Sequence, residues 1–570
     1  MNTIHPLHES TRRKSLRLWP GIVIVLLQWL SRFVLPELFP DAIAFGFLSI
    51  FLFGLALVIW WAFFSRAPAF DRWFAIVLMV TGLVATSQII DKSIATANVG
   101  LMFAFYSIPV MSLAFVVWAV ASRNFTDKLR RVTMGFTILL ASGFWALLRT
   151  NGMDAEIHHD FAWRWATTAE ESLISTPEKL TSIPLDSEVK AKEPEWAGFR
   201  GTNRDGIVHG SQLETDWLKK PPVELWRRPV GPGCSSFAVH GALIFTQEQR
   251  GEYEMVTCYN LNTGDPVWKH SDSTRFWDAH AGAGPRSTPT LYKGRLYSMG
   301  ATGIVNVLDE ATGTLIWTRN AAKDTHVEIP GWGYTGSPLV VDSTVFIAIS
   351  GQILAYDISN GHLRWSGKDG GESYCSPHLM VNNDTRQILF TNKEGLTSYT
   401  PADGTILWNL SFPGIRVIQP ALINSSDLLI NQESRKALKR IAVNKNTGVW
   451  KVEERWTSEN LKPDYNDIVI HKGYAYGFEG GLSLACIDIE KGERKWKGAR
   501  YGGQLILLAD QDILLILTEK GEIALVKAIP GEFTELARFP AIKGKTWNHP
   551  VLAGHILLVR NTQEMLAFRL

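Results

Sequence analysis

Hydrophobic residues follow different patterns in the two parts of the chain. Over residues 1–150, long uncharged runs follow one another, and roughly 20 apolar residues suffice for one membrane crossing. These runs predict five transmembrane helices, at about 18–38, 42–64, 73–90, 99–122 and 132–148. From residue 195 to residue 570, short apolar stretches alternate with turns rich in Gly, Asn and Asp, a pattern typical of β-strands. The sequence therefore predicts an α-helical membrane domain followed by an all-β domain.

Positive charges in the loops predict how the helices cross the membrane. They cluster before the first span and in every second loop after it, at Arg12, Arg13, Lys14, Arg17, Arg66, Arg72, Arg123, Lys128, Arg130 and Arg131. The alternate loops carry Glu37 and Asp41, or Asp91 with a single Lys92. Because positive loops remain in the cytoplasm, we expect a multi-pass protein of the cytoplasmic (inner) membrane. Five spans would place the N-terminus in the cytoplasm and the all-β domain in the periplasm or outside the cell.

Polar residues within and just after the predicted spans are interpreted without a functional site. Arg32 lies near the outer end of the first span, and we expect its side chain to reach the lipid headgroups. Residues 151–194 are polar and contain three prolines, so we interpret them as a linker. The run His158-His159-Asp160 within this linker is interpreted as a solvated surface cluster and not as a metal site.

Seven segments of the all-β part repeat one pattern, an apolar strand, Asp or Asn, a Gly turn and then an aromatic residue. Their glycines recur every 39 to 49 residues, at Gly264, Gly313, Gly361, Gly404, Gly448, Gly492 and Gly531. This period is that of one four-stranded blade of a β-propeller. Glycine supplies the positive φ of a tight hairpin, and we expect the aromatic residue to pack from the outermost strand against the neighbouring blade. The units at Gly448 and Gly531 depart from the usual spacing and predict longer or bulged turns.

The two ends of the all-β part predict how the ring closes. Residues 549–570 provide three strands without a fourth, whereas PPVELWRRPV (221–230) is a lone strand whose Trp226 matches the repeat aromatic. We expect this strand to complete the last blade, which removes the open sheet edges. Seven complete units and one composite unit predict an eight-bladed β-propeller over residues 195–570.

At these turns the chain resembles the quinoprotein dehydrogenase-like family, whose repeat is named after pyrroloquinoline quinone (PQQ). The resemblance is carried by turns such as LDEATGTLIW (308–317) and by the lead-in EWAGFRGTNRDG (195–206). Eight-bladed rings of this repeat also occur in the non-catalytic propeller lipoprotein of the outer-membrane β-barrel assembly machinery. Five spans before an exported propeller are similar to the architecture of membrane-bound quinoprotein glucose dehydrogenase. The resemblance implies the fold and leaves both binding and catalysis open.

The residues just before each innermost strand are the candidate site, because they lie at the mouth of the central channel of a propeller. They mix aromatic, charged and amide side chains and suit a polar, planar ligand. The set is Cys234, Trp277, Asp278, His280, Arg286, Trp332, Tyr334, Glu372, Tyr374, Arg416, Gln419, Tyr465, Asn466, Asp467, Arg500, Tyr501, Gln504, Trp547, Asn548 and His549.

The resemblance also implies what a quinone cofactor would require of this set. It would need aromatic planes and a cation, oxygen ligands for Ca²⁺, and a carboxylate that takes the proton of the substrate hydroxyl. The candidates for cofactor binding are Trp277, Arg286, Trp332, Tyr334, Tyr374 and Trp547. Those for the metal are Glu372 and Asn466, and those for catalysis are Asp278 and Asp467.

Several features favour binding over catalysis. None of the four cysteines is adjacent to another, the blades are too short for long insertions, and no Cys-x-x-Cys-His haem site is present. We therefore interpret the chain as a membrane-anchored, extracytoplasmic module that binds a ligand or a protein partner, with no cofactor assigned. The alternative is a PQQ- and Ca²⁺-dependent dehydrogenase that oxidises an alcohol or sugar and reduces membrane quinone. A net charge of +2 provides no basic patch that would indicate nucleic acid.

Overall fold

The computed structural model describes residues 16–39, 42–154, 156–181, 192–412, 414, 417–433 and 436–570. The predicted charges at Arg12, Arg13, Lys14 and Asp41, and the candidate site residue Arg416, lie outside these ranges. The chain forms two compact units. The first comprises Met1–Met153 and His159–Ala166, and the second comprises Asp154–His158 and Thr167–Leu570.

Helices make up most of the first unit. They are α1 (Trp19–Trp29), α2 (Leu35–Leu38), α3 (Ile43–Ile59), α4 (Ala69–Ser87), α5 (Lys92–Thr96), α6 (Met102–Ala121) and α7 (Asp127–Gly143). The π-helical turn Leu30–Val34 joins α1 to α2, and a second such turn, Trp60–Phe64, extends α3. Among the described residues of this unit, 3₁₀ turns lie at Ala97–Gly100, Ser122–Asn124 and Phe144–Leu147. The unit ends with the antiparallel hairpin of β1 (Leu148–Met153) and β2 (His159–Trp163).

Four helical segments of the described chain are long and apolar enough to cross a membrane: Trp19–Leu38, Ile43–Phe64, Ala69–Ser87 and Met102–Asn124. They agree with the first four predicted spans and confirm a helical domain apolar enough to span a membrane. The fifth predicted segment, 132–148, is also helical over most of its length, as the end of α7 and the 3₁₀ turn that follows. It is not one of the four, since α7 has only 17 residues and begins with several charged side chains.

Eight antiparallel sheets form the blades of the second unit. After α8 (Ala169–Ser175), β3 (Ile207–Val208) and β4 (Val223–Pro229), blade 1 comprises β5 (Ala238–His240), β6 (Leu243–Arg250), β7 (Tyr253–Asn260) and β8 (Pro266–Ser273). A small hairpin of β9 (Trp277–Asp278) and β10 (Gly282–Ala283) precedes blade 2, which comprises β11 (Thr290–Tyr292), β12 (Arg295–Met299), β13 (Ile304–Asp309) and β14 (Leu315–Asn320).

Blades 3 to 5 repeat the same order from the innermost to the outermost strand. After α9 (Ala321–Thr325), they comprise β15 (Leu339–Val341), β16 (Thr344–Ile349), β17 (Gln352–Asp357) and β18 (Leu363–Ser366); β19 (His378–Asn382), β20 (Thr385–Asn392), β21 (Gly395–Tyr399) and β22 (Ile406–Ser411); and β23 (Ala421–Leu422), β24 (Asp427–Glu433), β25 (Ala437–Asn446) and β26 (Val449–Ser458).

Blades 6 to 8 complete the ring. They comprise β27 (Val469–His471), β28 (Tyr474–Glu479), β29 (Ser483–Asp488) and β30 (Arg494–Arg500); β31 (Gly503–Leu508), β32 (Ile513–Thr518), β33 (Glu522–Lys527) and β34 (Glu535–Pro540); and β35 (Val551–Ala553), β36 (Ile556–Arg560) and β37 (Glu564–Arg569) with β4 as the outermost strand. The short 3₁₀ turn Ala509–Gln511 lies between β31 and β32. The eight-bladed propeller predicted from the repeat is confirmed.

The predicted ring closure is also confirmed. Strand β4 pairs antiparallel with β37 and places Trp226 opposite Ala567. The indole Nε1 of Trp226 donates a hydrogen bond of 2.8 Å to the carbonyl of Leu261 in blade 1. The last blade therefore contains strands from both ends of the propeller and is fastened to the first blade.

The turn glycines and the repeat tryptophans depend on each other. Gly313 in blade 2 has φ +69°, and a Cβ added there would lie 2.5 Å from the ring of Trp268 in blade 1. Glycine is therefore required for two reasons. The turn needs its positive φ, and any side chain at this position would clash with the tryptophan that packs on it. The same contact recurs between Gly264 and Trp226. Gly448 has nothing within 4 Å of such a Cβ, because it lies at the tip of a long hairpin. In this unit the two strands are longer than usual, whereas the turn is short.

Candidate functional site

The lead-in residues 196–208 run along the innermost strands and therefore lie in the central channel. Trp196 forms an isolated bridge with Val239 of blade 1, and the carbonyl of Ala197 accepts a 2.7 Å hydrogen bond from Leu291 N of blade 2. Strand β3 then pairs parallel with β31 of blade 7. The sequence resemblance singled out this segment but did not reveal its position.

Two buried arginines fix this segment across the ring. Arg204 donates hydrogen bonds to the carbonyls of Ser337 (3.0 Å) and Pro338 (2.7 Å), just before the innermost strand of blade 3. Arg200 donates to the carbonyl of Ile468 (2.7 Å), just before that of blade 6. Burial and, to a lesser extent, the neighbouring Arg200 lower the pKa of Arg204 to about 9, while Asp467 opposes the shift. The segment thus fills the channel beneath its mouth.

Asp467, a predicted catalytic residue, takes part in anchoring this segment. Its carboxylate lies 3.7 Å from Arg200 Nε and accepts a 2.8 Å hydrogen bond from Gln419 N. It also lies 3.7 Å from His549, whose pKa is lowered to about 3 by burial and by Arg200. Burial raises the pKa of Asp467, while Arg200 acts in the opposite direction. The contacts of Asp467 are therefore those of a buried anchor beneath the mouth.

Asp278, the other predicted catalytic residue, lies at the mouth but is already paired. Its Oδ2 accepts a 2.6 Å bond from Arg286, and Oδ1 accepts bonds from the backbone N–H groups of His280 and Ala281. Burial alone would raise the pKa of Asp278, but His280, Arg286 and these N–H groups bring it down to about 2. A general base is most effective when its pKa is near the working pH. This carboxylate is therefore poorly suited to abstract a proton.

Aromatic side chains of different blades meet above the lead-in segment. Trp332 is 41% exposed, and its ring centroid lies 4.6 Å from that of Tyr374 and 6.5 Å from that of His280. The hydroxyl of Tyr374 donates to Glu372. These groups combine flat apolar surface with polar edges, as a planar ligand or a protein loop would require.

Lys545 extends this arrangement, and sequence reasoning missed it. Its Nζ lies 3.8 Å from the ring centroid of Trp547 and donates a 3.0 Å bond to the carbonyl of His280. The Trp547 ring lies 6.3 Å from that of Tyr465. Burial lowers the pKa of Lys545. We call this set the mouth cluster: Tyr465, Trp547, Lys545, His280, Trp332 and Tyr374.

Several candidates have positions that differ from the predicted roles. Tyr334 is buried between blades 2 and 3 and donates a 2.7 Å bond to the carbonyl of Val327, and burial raises its pKa to about 12. Trp277 lies half-buried on β9. Arg500 lies at the end of an outermost strand and pairs with Glu156 at 3.1 Å, away from the channel.

The two candidate metal ligands are not joined by any described contact. Glu372 accepts the hydroxyl of Tyr374, whereas the Asn466 amide donates to the carbonyl of Gly503. Asn466 Oδ1 faces Gly481, 3.3 Å from the position of a Cβ there. Because Ca²⁺ requires six to eight oxygen ligands around one point, this donor set does not fit a PQQ–Ca²⁺ site.

Comparison with known proteins identifies the family. A protein-family model described as outer membrane protein assembly factor BamB matches residues 216–368 and 301–534. Together these residues exceed half of the chain. The chain belongs to this BamB family. No curated protein gives a significant match.

Solved structures similar to this BamB-family chain include a BamB protein and several dehydrogenases. BamB from Moraxella catarrhalis is 13% identical, with a TM-score of 0.44 over 61% of this chain and 98% of that one. Quinohemoprotein alcohol dehydrogenase from Comamonas testosteroni is 12% identical, with a TM-score of 0.47 over 68% and 82%. A europium-containing methanol dehydrogenase is 11% identical, with a TM-score of 0.48 over 67% and 99%. The matched residues include β4 but not the lead-in segment or strands β34 to β37.

Proposed function

We propose that the chain is a membrane-anchored, extracytoplasmic binding module whose ligand or protein partner docks at the mouth cluster. The observation that carries this proposal is the lead-in segment, which fills the channel beneath the mouth and holds Asp467 as an anchor. Above it, Trp332 and its neighbours present exposed aromatic and polar surface. Membership of a family described as an assembly factor supports binding over catalysis.

An extracytoplasmic propeller requires α7 to cross the membrane as the fifth span. The packing of α7 against α4 in the first unit supports this crossing. Asp71 at the start of α4 accepts bonds from Arg130 (2.7 Å) and Arg131 (2.6 Å) at the start of α7. Further along, a Cβ at Gly82 of α4 would lie 3.0 Å from Ser142 of α7. The two helices therefore run side by side in the same direction, so a membrane crossed by α4 is also crossed by α7. That makes five crossings.

The ends of these helices carry charge as a five-span topology requires. Arg17 donates its backbone N–H to the carbonyl of Ser65 (3.0 Å), and Arg72 reaches the carbonyl of Ala62 (2.7 Å). These cations therefore gather at one end of the bundle, where Asp71 also holds Arg130 and Arg131. Positive charge marks the cytoplasmic side. With five crossings, we expect the propeller on the opposite side of the membrane.

Reporter fusions test this topology. An enzyme that is active only outside the cytoplasm should be active when fused after Gly152 or after Leu570, and inactive after Arg66. A fluorescent protein that matures only in the cytoplasm serves as the control and should give the reverse pattern. Activity of the first reporter after Arg66, or its inactivity after Leu570, would contradict five crossings.

The functional proposal is tested by cofactor uptake and by cross-linking. The full chain in detergent or in membranes should show no Ca²⁺-dependent quenching of tryptophan fluorescence by PQQ, and no alcohol- or sugar-dependent dye reduction. A photo-cross-linking residue at position 332 should form adducts in native membranes. The same residue at position 315, on outer strand β14, should not, although Leu315 and Trp332 are both 41% exposed.

The dehydrogenase alternative gives the opposite outcome. Substrate-dependent dye reduction that is abolished by Asp278→Asn or Asp467→Asn, with cofactor uptake preserved, would overturn the binding proposal. Equal cross-linking at positions 315 and 332 would show instead that the mouth cluster is not the docking site.

A further inference from the structure

Residues 167–181 lie along blade 1, and we call them the strap. Helix α8 of the strap begins with a capping box, in which Thr168 Oγ1 accepts a 3.0 Å bond from Glu171 N and the Glu171 carboxylate accepts one of 2.7 Å from Thr168 N. Leu173 of α8 is buried. At the other end of the strap, Thr181 N donates a 2.8 Å bond to the carbonyl of Pro266 on β8. The strap is therefore an ordered part of the propeller domain.

Glu170 of the strap holds Arg275, which lies two residues before β9. Its Oε1 accepts a 2.7 Å bond from Arg275 Nη1, and its Oε2 accepts one of 2.9 Å from Nη2. Both side chains also bond the backbone of Gly251 in the turn between β6 and β7. Glu170 accepts its N–H (2.8 Å), and Arg275 donates to its carbonyl (2.6 Å). Because the carboxylate–guanidinium pair is bidentate, it fixes orientation as well as distance.

Phe276, the next residue along the chain, connects this ion pair to the mouth cluster. A Cβ added at Gly333, beside Trp332, would lie 3.0 Å from the Phe276 ring. The carbonyl of Phe276 accepts a 3.0 Å bond from Gly284 N, which continues the pairing of the β9–β10 hairpin. Phe276 therefore contacts the loop that carries Trp332 and is bonded to the hairpin that carries His280.

The β9–β10 hairpin depends on its surroundings for its position. Each of its strands has only two residues, and an isolated two-stranded hairpin is at best marginally stable in water. Arg286 donates a 2.6 Å bond to the carbonyl of Gly282, and Lys545 donates a 3.0 Å bond to that of His280. These bonds hold the distal part of the hairpin, whereas Arg275 holds the chain that enters it.

We propose that Glu170 of the strap is a positioning residue for the mouth cluster. By fixing Arg275 it holds Phe276 and the entry to the β9–β10 hairpin, and it thereby sets where His280 and Trp332 are presented to a partner. Glu170 acts through these residues and does not itself belong to the mouth cluster. This inference rests on the function proposed above, because it assigns the strap a part in docking at the mouth.

Hydrogen exchange and photo-cross-linking of the full chain together test this role. In Glu170→Gln, the backbone amides of His280, Ala281 and Gly284 should exchange about tenfold faster, because the hairpin opens more often. Adducts formed by a cross-linking residue at position 332 in native membranes should fall by about tenfold. Glu171→Gln is the matched control. It removes the neighbouring carboxylate of the strap, glutamine preserves the capping box, and both readouts should stay at the wild-type value.

Glu170 and Arg275 should act as one unit. Arg275→Gln should give the same losses as Glu170→Gln, and the double variant should lose no more than either. Exchanging the two residues, as Glu170→Arg with Arg275→Glu, should restore most of both readouts, because the side chains can bond each other and Gly251 in the reverse order. The thermal midpoint should change little in all these variants, since the ion pair is partly exposed.

Other outcomes would overturn the proposal. Unchanged exchange in Glu170→Gln would show that the strap does not hold the hairpin, and undiminished adducts would show that the hairpin does not govern docking. A midpoint that falls in step with both readouts would show a merely structural role. If Glu170→Gln fails to fold, Arg275→Gln and the exchanged pair decide the question. If the wild-type chain forms no adducts at position 332, the docking proposal alone fails, and hydrogen exchange still decides whether Glu170 positions the hairpin.

Discussion

Trp226→Ala should lower the free energy of unfolding of the propeller by about 3–5 kcal/mol. The side chain is 7% exposed and fills the junction between the last blade and the first. Its ring lies on the turn of Gly264, and its Nε1 donates to the carbonyl of Leu261. Alanine would leave a cavity and an unpaired carbonyl at the one junction where the ring is closed by strands from distant parts of the sequence.

Denaturant unfolding of the full chain, with hydrogen exchange of β4 and β37, measures this effect. Trp332→Ala is the matched control, because it removes the same ring from an exposed position and should cost less than about 1 kcal/mol. Deletion of residues 221–230 should expose the edges of β37 and blade 1 and be more damaging than either substitution. An unchanged midpoint after that deletion would contradict the closure of the ring by β4.

Glu254 should make the propeller less stable as the pH rises from about 4.5 to about 7. The residue is 4% exposed, and burial raises the pKa of its carboxyl to about 7, with Asp272 adding to the shift. The folded state therefore keeps a proton that the unfolded chain releases near pH 4.5. The stabilisation is complete below that pH and is lost as the pH passes 7. At about 1.4 kcal/mol per pKa unit, the loss is about 3 kcal/mol.

Glu254→Gln isolates this contribution, because the amide resembles the protonated carboxyl and still accepts the hydrogen bond from Ala301 N. The variant and the wild-type chain should have similar unfolding free energies at pH 4.5, and the variant should be more stable by about 3 kcal/mol at pH 8. Glu252→Gln on the same hairpin is the control, since the residue is exposed. A constant difference between Glu254→Gln and wild type across this range would contradict the raised pKa.

The features that sequence reasoning identified are those whose cause is local. Six of the seven repeat glycines have the positive φ of their own turn, and in five units the tryptophan follows four residues later, so period and blade count follow directly. Ring closure could be predicted because Trp226 belongs to a lone strand in the sequence, outside any complete repeat, and the last repeat lacks its fourth strand. The membrane helices are recognisable because apolar length alone decides whether a segment spans a bilayer.

The candidate site was harder to predict because its contacts join residues far apart in sequence. Arg200 bonds to the carbonyl of Ile468 and Arg204 to that of Ser337, so nothing near Asp467 indicates that it anchors a distant segment. Lys545 belongs to no motif and becomes significant only when it lies over Trp547 and reaches His280. The side chain of Arg32 is buried and does not extend outward as expected, because a helical pattern does not show which face the π-helical turn Leu30–Val34 directs inward.

The pairing of β4 with β37 also delays closure of the ring during synthesis, because the two strands lie far apart in the sequence. Trp226 is made about 340 residues before its partner Ala567, and at roughly 5–20 residues per second this interval is about 20 to 70 seconds. During that time β4 has no sheet to join, and blade 1 has an uncovered side. A ribosome that stalls late in the message would therefore release a ring with open strand edges, suited to proteases and to aggregation.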